Sequence, residues 1–166
     1  MRGVGGAGFD TRALVDAVMV PDAYGQIGSD IVAMSRGDVV FWNGLYLEAQ
    51  MEEFLHRLTR RTSVIAVADA LPAELLRGHD DYAGRFDPHI WMVPDLWTHA
   101  VRAVQTGLTK SRPDLAGAFA LRTDAYLAQI AAVATYARGV LDQVPAQSRV
   151  LVTAHDAFGY FGDAYG

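Results

Sequence analysis

The 166-residue chain is long enough for one compact domain with a hydrophobic core, or for one lobe of a larger protein. Its formal net charge of −5, without a block of Lys or Arg, argues against nucleic acid as the main partner, because phosphate binding usually needs a clustered positive face. The absence of cysteine excludes disulfides and thiolate metal sites, so any metal site must use imidazole and oxygen ligands.

The first half of the chain predicts a strand, a helix and a second strand. The apolar run 39–42, closed by the turn pair Asn43-Gly44, is typical of a buried strand, and the run 63–68 predicts another. Between them, apolar residues at helical spacing predict a helix that starts at Leu45. Strands and helices that alternate with tight joints indicate a parallel sheet.

The second half predicts two helices and a strand. Pro94 opens a helix, and the segment 114–144 has the longest helical periodicity in the chain. A helix of about 30 residues spans roughly 45 Å, so we expect it to connect two lobes. The apolar run 150–152 predicts a strand, and a lone strand is not stable by itself. We therefore expect the sequence to continue beyond Gly166.

Two histidines stand out as candidate metal ligands. His89 follows Asp87-Pro88, which holds the backbone extended and can aim an imidazole. His155 comes just after the predicted strand 150–152, and ligands of open α/β sheets bind beyond the carboxyl ends of strands. Two neutral imidazoles that converge there suit a divalent transition metal. The alternative is that each is an ordinary loop or core histidine.

Three segments carry a resemblance to a known family. They are, in chain order, SDIVAMSRGDVVFWNGLYLE, DPHIWMVP and VTAHDAFGYFGDAYG. Together they resemble the zinc and manganese receptors of bacterial ABC importers, the TroA/ZnuA-like periplasmic metal-binding proteins. The order of the segments and the 66 residues between His89 and His155 (155 − 89) make the match specific.

The resemblance implies an α/β fold in which two (β/α) lobes share one long helix. Residues 1–111 would form the N-terminal metal-binding lobe with a parallel sheet, without the opening strand of the family. Residues 112–144 would form the connecting backbone helix, and residues 145–166 would begin an incomplete C-terminal lobe with its first strand. On this resemblance the chain is expected to be a truncated member of the family.

The family binds its metal with four side chains, of which this sequence matches two or three. By resemblance, His89 would be the second ligand and His155 the third. The first is usually a histidine in a Pro-His-x-Tyr context, where this chain has Asp22 in the stretch PDAY. A carboxylate can bind zinc or manganese, but Asp22 can equally be a solvated turn residue. The fourth ligand has no counterpart here.

The resemblance implies a binding protein and not an enzyme. Such a receptor captures a divalent transition metal outside the cytoplasmic membrane, zinc in first place and manganese in second, and delivers it to an ABC importer permease. We expect a monomer in the periplasm or at the cell surface. The chain has no apolar run of the roughly 20 residues that insert directly into a membrane, and its start lacks the apolar core of a signal peptide.

Two alternatives remain open from the sequence. One is a metal-dependent hydrolase that uses His89, His155 and Asp22 as ligands, with Asp87 or Asp156 as general base to a metal-bound water. The other is an inactive truncated relic of the receptor. The aspartate at position 22 and the missing parts of the family pattern are compatible with it.

Overall fold

The computed structural model of the protein describes residues 2–14, 28–79 and 83–166. The predicted parallel sheet is confirmed. Strand β1 (Val39–Trp42) pairs in parallel with β2 (Ser63–Ala66), with Val39 opposite Ser63 and Trp42 opposite Ala66. Just after β2, the backbone N–H groups of Val67 and Ala68 donate to the carbonyl oxygens of Trp42 and Asn43, each at 2.9 Å. The backbone segments that follow β1 and β2 therefore leave the sheet side by side at its carboxyl end.

The helix after β1 begins later than its apolar spacing predicts. Helix α3 covers Glu52–Leu58, and residues 45–51 form turns instead. Gly44, Leu45 and Tyr46 have φ angles of 85°, 51° and 71°, which lie in the left-handed region that no right-handed helix contains. The predicted start at Leu45 is therefore wrong.

Helix α4 (Pro94–Ser111) covers the sheet and begins at Pro94 as predicted. The helix approaches the sheet most closely at Gly107. A Cβ atom there would contact the side chain of Ile65 and lie 2.8 Å from Cε1 of Phe41. Glycine at this position therefore allows the helix to pack directly on both strands.

The hydrophobic core lies around α4, the sheet and the first part of a long helix. One cluster joins the segment after β2 to the loop before α4: Val67, Ala68, Leu71, Ile90, Val93, Ala100 and Tyr160. A second cluster lies between the N-terminal segment and the two longest helices: Val4, Val101, Leu108, Phe119 and Ile130. A third packs α3 against α2 (Gly28–Arg36): Met34, Met51, Leu55 and Leu58.

The long helix predicted at 114–144 is confirmed as α5 (Ala116–Leu141), after a short 3-10 turn. Its 26 residues span roughly 39 Å. It packs against α4 and against α1 (Arg2–Gly5), and buries Phe119 and Ile130. Its other side exposes large apolar residues to solvent: Leu121, Val133, Tyr136 and Val140. The connection of two lobes by this helix stays a prediction.

The strand predicted at 150–152 is wrong. These residues form no strand, and their side chains are 80%, 58% and 88% exposed. A short apolar segment forms a strand only when a neighbouring strand satisfies its backbone groups, and no such neighbour lies beside it in the described parts of the chain. The chain then turns at residues 154–156 and ends in α6 (Gly159–Tyr165), which packs against the 3-10 helix Ile90–Met92.

None of the helices in the described ranges has the length and apolarity needed to cross a bilayer.

Candidate metal centre

His89 is fixed in a buried loop that leads from the sheet region into α4. Its relative exposure is only 2%, and it directly precedes the 3-10 helix Ile90–Met92. The side chain of Asn43, from the turn after β1, donates to the carbonyl oxygen of Pro88 at 3.1 Å. On the other side, the backbone N–H of Asp87 donates to the carbonyl oxygen of Arg77 at 2.9 Å. The loop is therefore tied to two separate parts of the fold.

Asp87 orients the imidazole of His89. Its Oδ1 atom lies 2.7 Å from Nδ1 of His89 and also accepts the backbone N–H of His89 at 2.9 Å. Burial alone would raise the pKa of Asp87. The hydrogen bonds from the side chain and backbone of His89, with the charges of His89 and Arg77, outweigh burial and hold that pKa below its ordinary value. An ionised Asp87 favours the tautomer with the proton on Nδ1, in which Nε2 is the acceptor atom of the ring.

The structure brings the two predicted histidines together. The ring centroids of His89 and His155 lie 5.1 Å apart, with the rings nearly perpendicular at 81°. The Trp91 ring lies 5.2 Å from that of His89. His155 is exposed, and Thr153 and Ala157 both hydrogen-bond to its carbonyl oxygen, at 2.8 and 2.9 Å. The pair thus has one buried member and one exposed member.

Asp22, the predicted replacement for the first ligand, lies outside the described residues. Within the described ranges, no group of three or more His, Cys, Asp or Glu side chains is arranged to hold a metal ion. An apolar cavity of about 130 Å³ lies between Val4, Trp97 and Tyr126, and neither histidine lines it. The candidate site is therefore the histidine pair at the protein surface and not that cavity.

Tyr160 and Arg77 are residues of this site that the sequence does not reveal. In the sequence, Tyr160 is one of several aromatic residues near the end of the chain. In the structure, its hydroxyl contacts the backbone of both Arg77 and Asp87. These partners are 83 and 73 positions away, so no local pattern could have identified them.

Glu48 organises the turn from which Asn43 reaches the His89 loop. Its two carboxylate oxygens accept the backbone N–H groups of Asn43 at 2.7 Å and Gly44 at 3.2 Å. Burial of Glu48 raises the pKa of its carboxyl above the ordinary 4.5, although these two N–H groups favour the charged form and lower it. The ionised carboxylate is therefore held in the turn against a desolvation penalty.

A Glu48→Gln variant should isolate the titration of this carboxyl. Because the folded-state pKa is raised, the native wild type binds more protons than the unfolded chain at pH values between 4.5 and the raised pKa. The free energy of unfolding of the wild type should therefore fall, relative to that of the variant, as the pH rises through this window. Urea unfolding of both proteins at several pH values measures the difference, and a pH-independent difference would contradict the prediction.

The match to known proteins covers the whole chain. The family model ZnuA, described as zinc-uptake complex component A, periplasmic, matches residues 1–166. The chain belongs to this family. The resemblance drawn from the three sequence segments is therefore confirmed, and so is the α/β fold class of the ZnuA family.

Individual relatives of the chain support the same conclusion. The zinc-binding protein TroA of Treponema pallidum (strain Nichols) is 35% identical over 166 residues, which are 100% of this chain and 50% of that protein. The manganese-binding lipoprotein MntA of Bacillus subtilis (strain 168) is 34% identical over 163 residues, 98% of this chain and 53% of MntA. A structure of periplasmic zinc-binding TroA from Treponema pallidum superposes with a TM-score of 0.95 at 33% identity, over 99% of this chain and 59% of that one. The chain spans about half the length of the curated relatives it matches.

Proposed function

We propose that this chain is the metal-capturing part of an extracytoplasmic receptor for a divalent transition metal, zinc in first place and manganese in second. The observation that carries the proposal is the perpendicular pair of imidazoles, His89 and His155, with centroids 5.1 Å apart. One of them is held in a single tautomer by Asp87. A carboxylate behind a metal-binding histidine is the usual way in which proteins orient such a ligand and raise its basicity.

The donor set favours zinc over harder ions. Two imidazole nitrogens suit zinc and other late transition metals, whereas manganese prefers more oxygen donors. Asp22 is proposed as a third, oxygen ligand, which would bring the site closer to what manganese accepts. TroA is named for zinc and MntA for manganese, so the family includes both preferences.

Capture is better supported than catalysis. A hydrolase would need a general base beside a metal-bound water. Asp87 already accepts two hydrogen bonds from His89 in a buried position, so its carboxylate is committed to orienting the ligand. Asp156, the other candidate base, is exposed to solvent. The relatives TroA and MntA are named as metal-binding proteins, and we propose the same role for this chain, with delivery to an ABC importer permease.

Calorimetric titration of zinc and manganese into the purified chain tests the proposal. The wild type should bind one zinc ion per chain, and more tightly than manganese. His89→Ala and His155→Ala should each weaken zinc binding by at least roughly 100-fold. Loss of a residue that only hydrogen-bonds to a metal ligand weakens binding by about 10- to 100-fold, and these variants each lose a ligand itself. Asp22→Ala should weaken it by about 10-fold or more if the carboxylate is the third ligand.

His56→Ala is the matched control for loss of a histidine. His56 is largely exposed and contacts Glu52 and Trp42, neither of which belongs to the site, so this variant should bind zinc like the wild type. A wild type without saturable zinc binding would favour the inactive relic. Metal-dependent turnover of an ester or phosphoester, lost in His89→Ala, would favour the hydrolase.

A further inference from the structure

The final helix of the chain is fastened to the loop that carries His89. The hydroxyl of Tyr160, in the first turn of α6, accepts the backbone N–H of Arg77 at 3.0 Å and donates to the carbonyl oxygen of Asp87 at 3.1 Å. Tyr160 is only 4% exposed and belongs to the same hydrophobic cluster as Ile90, the residue after His89. The Tyr160 side chain therefore joins α6 to the backbone of both Arg77 and Asp87.

Two further contacts strengthen this attachment. The guanidinium of Arg77 donates to both carboxylate oxygens of Asp163 on α6, at 3.0 and 2.9 Å. At the start of α6, a Cβ atom on Gly159 would collide with the side chain of Arg77 and lie 2.9 Å from Oδ2 of Asp87. Only glycine allows the helix to begin this close to the carboxylate that orients His89. We call the contacts of Gly159, Tyr160 and Asp163 with Arg77 and Asp87 the α6 latch.

The α6 latch lies a few residues after His155. His155 itself is exposed, so burial does not hold its ring in place. The chain enters the buried part of the fold again at Ala157, which is 2% exposed, and is then fixed at Tyr160. The position of the exposed imidazole relative to His89 therefore depends on where α6 is attached.

We propose that Tyr160 and Gly159 are positioning residues that set the distance between His89 and His155 before any metal binds. The inference rests on the proposed function, because the histidine pair is the proposed metal site. A ligand that is already in place loses little conformational freedom when the ion arrives, and this raises affinity without an additional contact to the metal. In this arrangement, metal binding adds the ion to a pair of imidazoles that the protein has assembled.

Nuclear magnetic resonance of the metal-free protein tests the positioning directly. With labelled histidines, ring protons of His89 and His155 should show a cross-relaxation contact in the wild type. Tyr160→Phe removes only the hydroxyl of the latch, and Gly159→Ala forces α6 away from Arg77 and Asp87. Both variants should lose the ring contact, whereas Tyr136→Phe, a matched change at an exposed position on α5, should keep it.

Metal titration supplies the second measurement. Tyr160→Phe should weaken zinc binding by about 10-fold, within the range for partners that orient metal-binding histidines, and should change the visible spectrum of bound cobalt(II). Ile130→Val, a core change in another cluster, controls for lower stability and should change neither quantity. The inference is overturned when both latch variants keep the ring contact and the zinc affinity of the wild type. A wild type that shows the ring contact but binds no zinc would overturn the proposed function alone, and loss of that contact in Tyr160→Phe would still support the latch.

Discussion

An Asp87→Ala variant should bind zinc about 10- to 100-fold more weakly than the wild type, although Asp87 is not a proposed ligand. Its carboxylate accepts both the ring Nδ1 and the backbone N–H of His89 in a buried position. Without it, the imidazole loses the partner that selects its tautomer, and its ring is free to rotate away from His155. Calorimetric titration of zinc into both proteins measures the loss.

Two further variants make this result specific. Asp87→Asn keeps an acceptor oxygen but loses the charge, so its zinc affinity should lie between those of the wild type and Asp87→Ala. Asp95→Ala removes an exposed carboxylate that pairs with Arg138 at the surface, and it should leave zinc affinity unchanged. If Asp87→Ala and Asp95→Ala bind zinc equally well, Asp87 does not orient His89.

A Phe119→Ala variant should lower the free energy of unfolding by about 3–5 kcal/mol. Phe119 is 0% exposed, and it packs with Val4, Val101 and Leu108 where α5 meets α4 and the N-terminal segment. Its ring also lies 5.6 Å from that of Phe9, so the variant loses an aromatic contact and leaves a cavity. Such a loss is a large share of the roughly 5–15 kcal/mol that stabilises an ordinary domain.

Urea unfolding followed by circular dichroism measures this change. Leu121→Ala is the matched control, because Leu121 lies two residues further along the same helix and is 73% exposed. Its effect should stay within about 0.5 kcal/mol, as for most surface substitutions. Since alanine is a better helix former than phenylalanine or leucine, equal losses for the two variants would show that burial of the Phe119 ring does not stabilise the fold.

The parallel sheet and the long helices could be predicted because local patterns determine them. Two short apolar runs, the first of them closed by a turn pair, predict β1 and β2. Pro94 predicts the start of α4, and helical spacing predicts α5. The start of α3 could not be predicted in this way. Leu45 and Tyr46 adopt positive φ angles, which are uncommon for residues other than glycine and which the sequence does not indicate. The neighbouring turn also depends on the half-buried carboxylate of Glu48.

The sequence predicts the two histidines of the candidate site, and it does not predict the residues that hold them in place. His89 and His155 stand in segments that resemble those of a known family, and the structure brings their rings together. The attachment of Tyr160 to Arg77 and Asp87 depends on contacts between distant parts of the chain. The prediction of a strand at 150–152 failed for a similar reason, since a strand needs a partner that the apolar run itself does not specify.

The exposed apolar segment 150–152 has a consequence for the behaviour of this chain at high concentration. Three consecutive large aliphatic residues, Val150, Leu151 and Val152, face solvent, and Arg149 is the charged residue that directly flanks them against intermolecular strand addition. In a concentrated sample, we expect association of chains through this segment to compete with the folded state of single chains. Measurements of the proposed metal binding are therefore expected to work best in dilute samples.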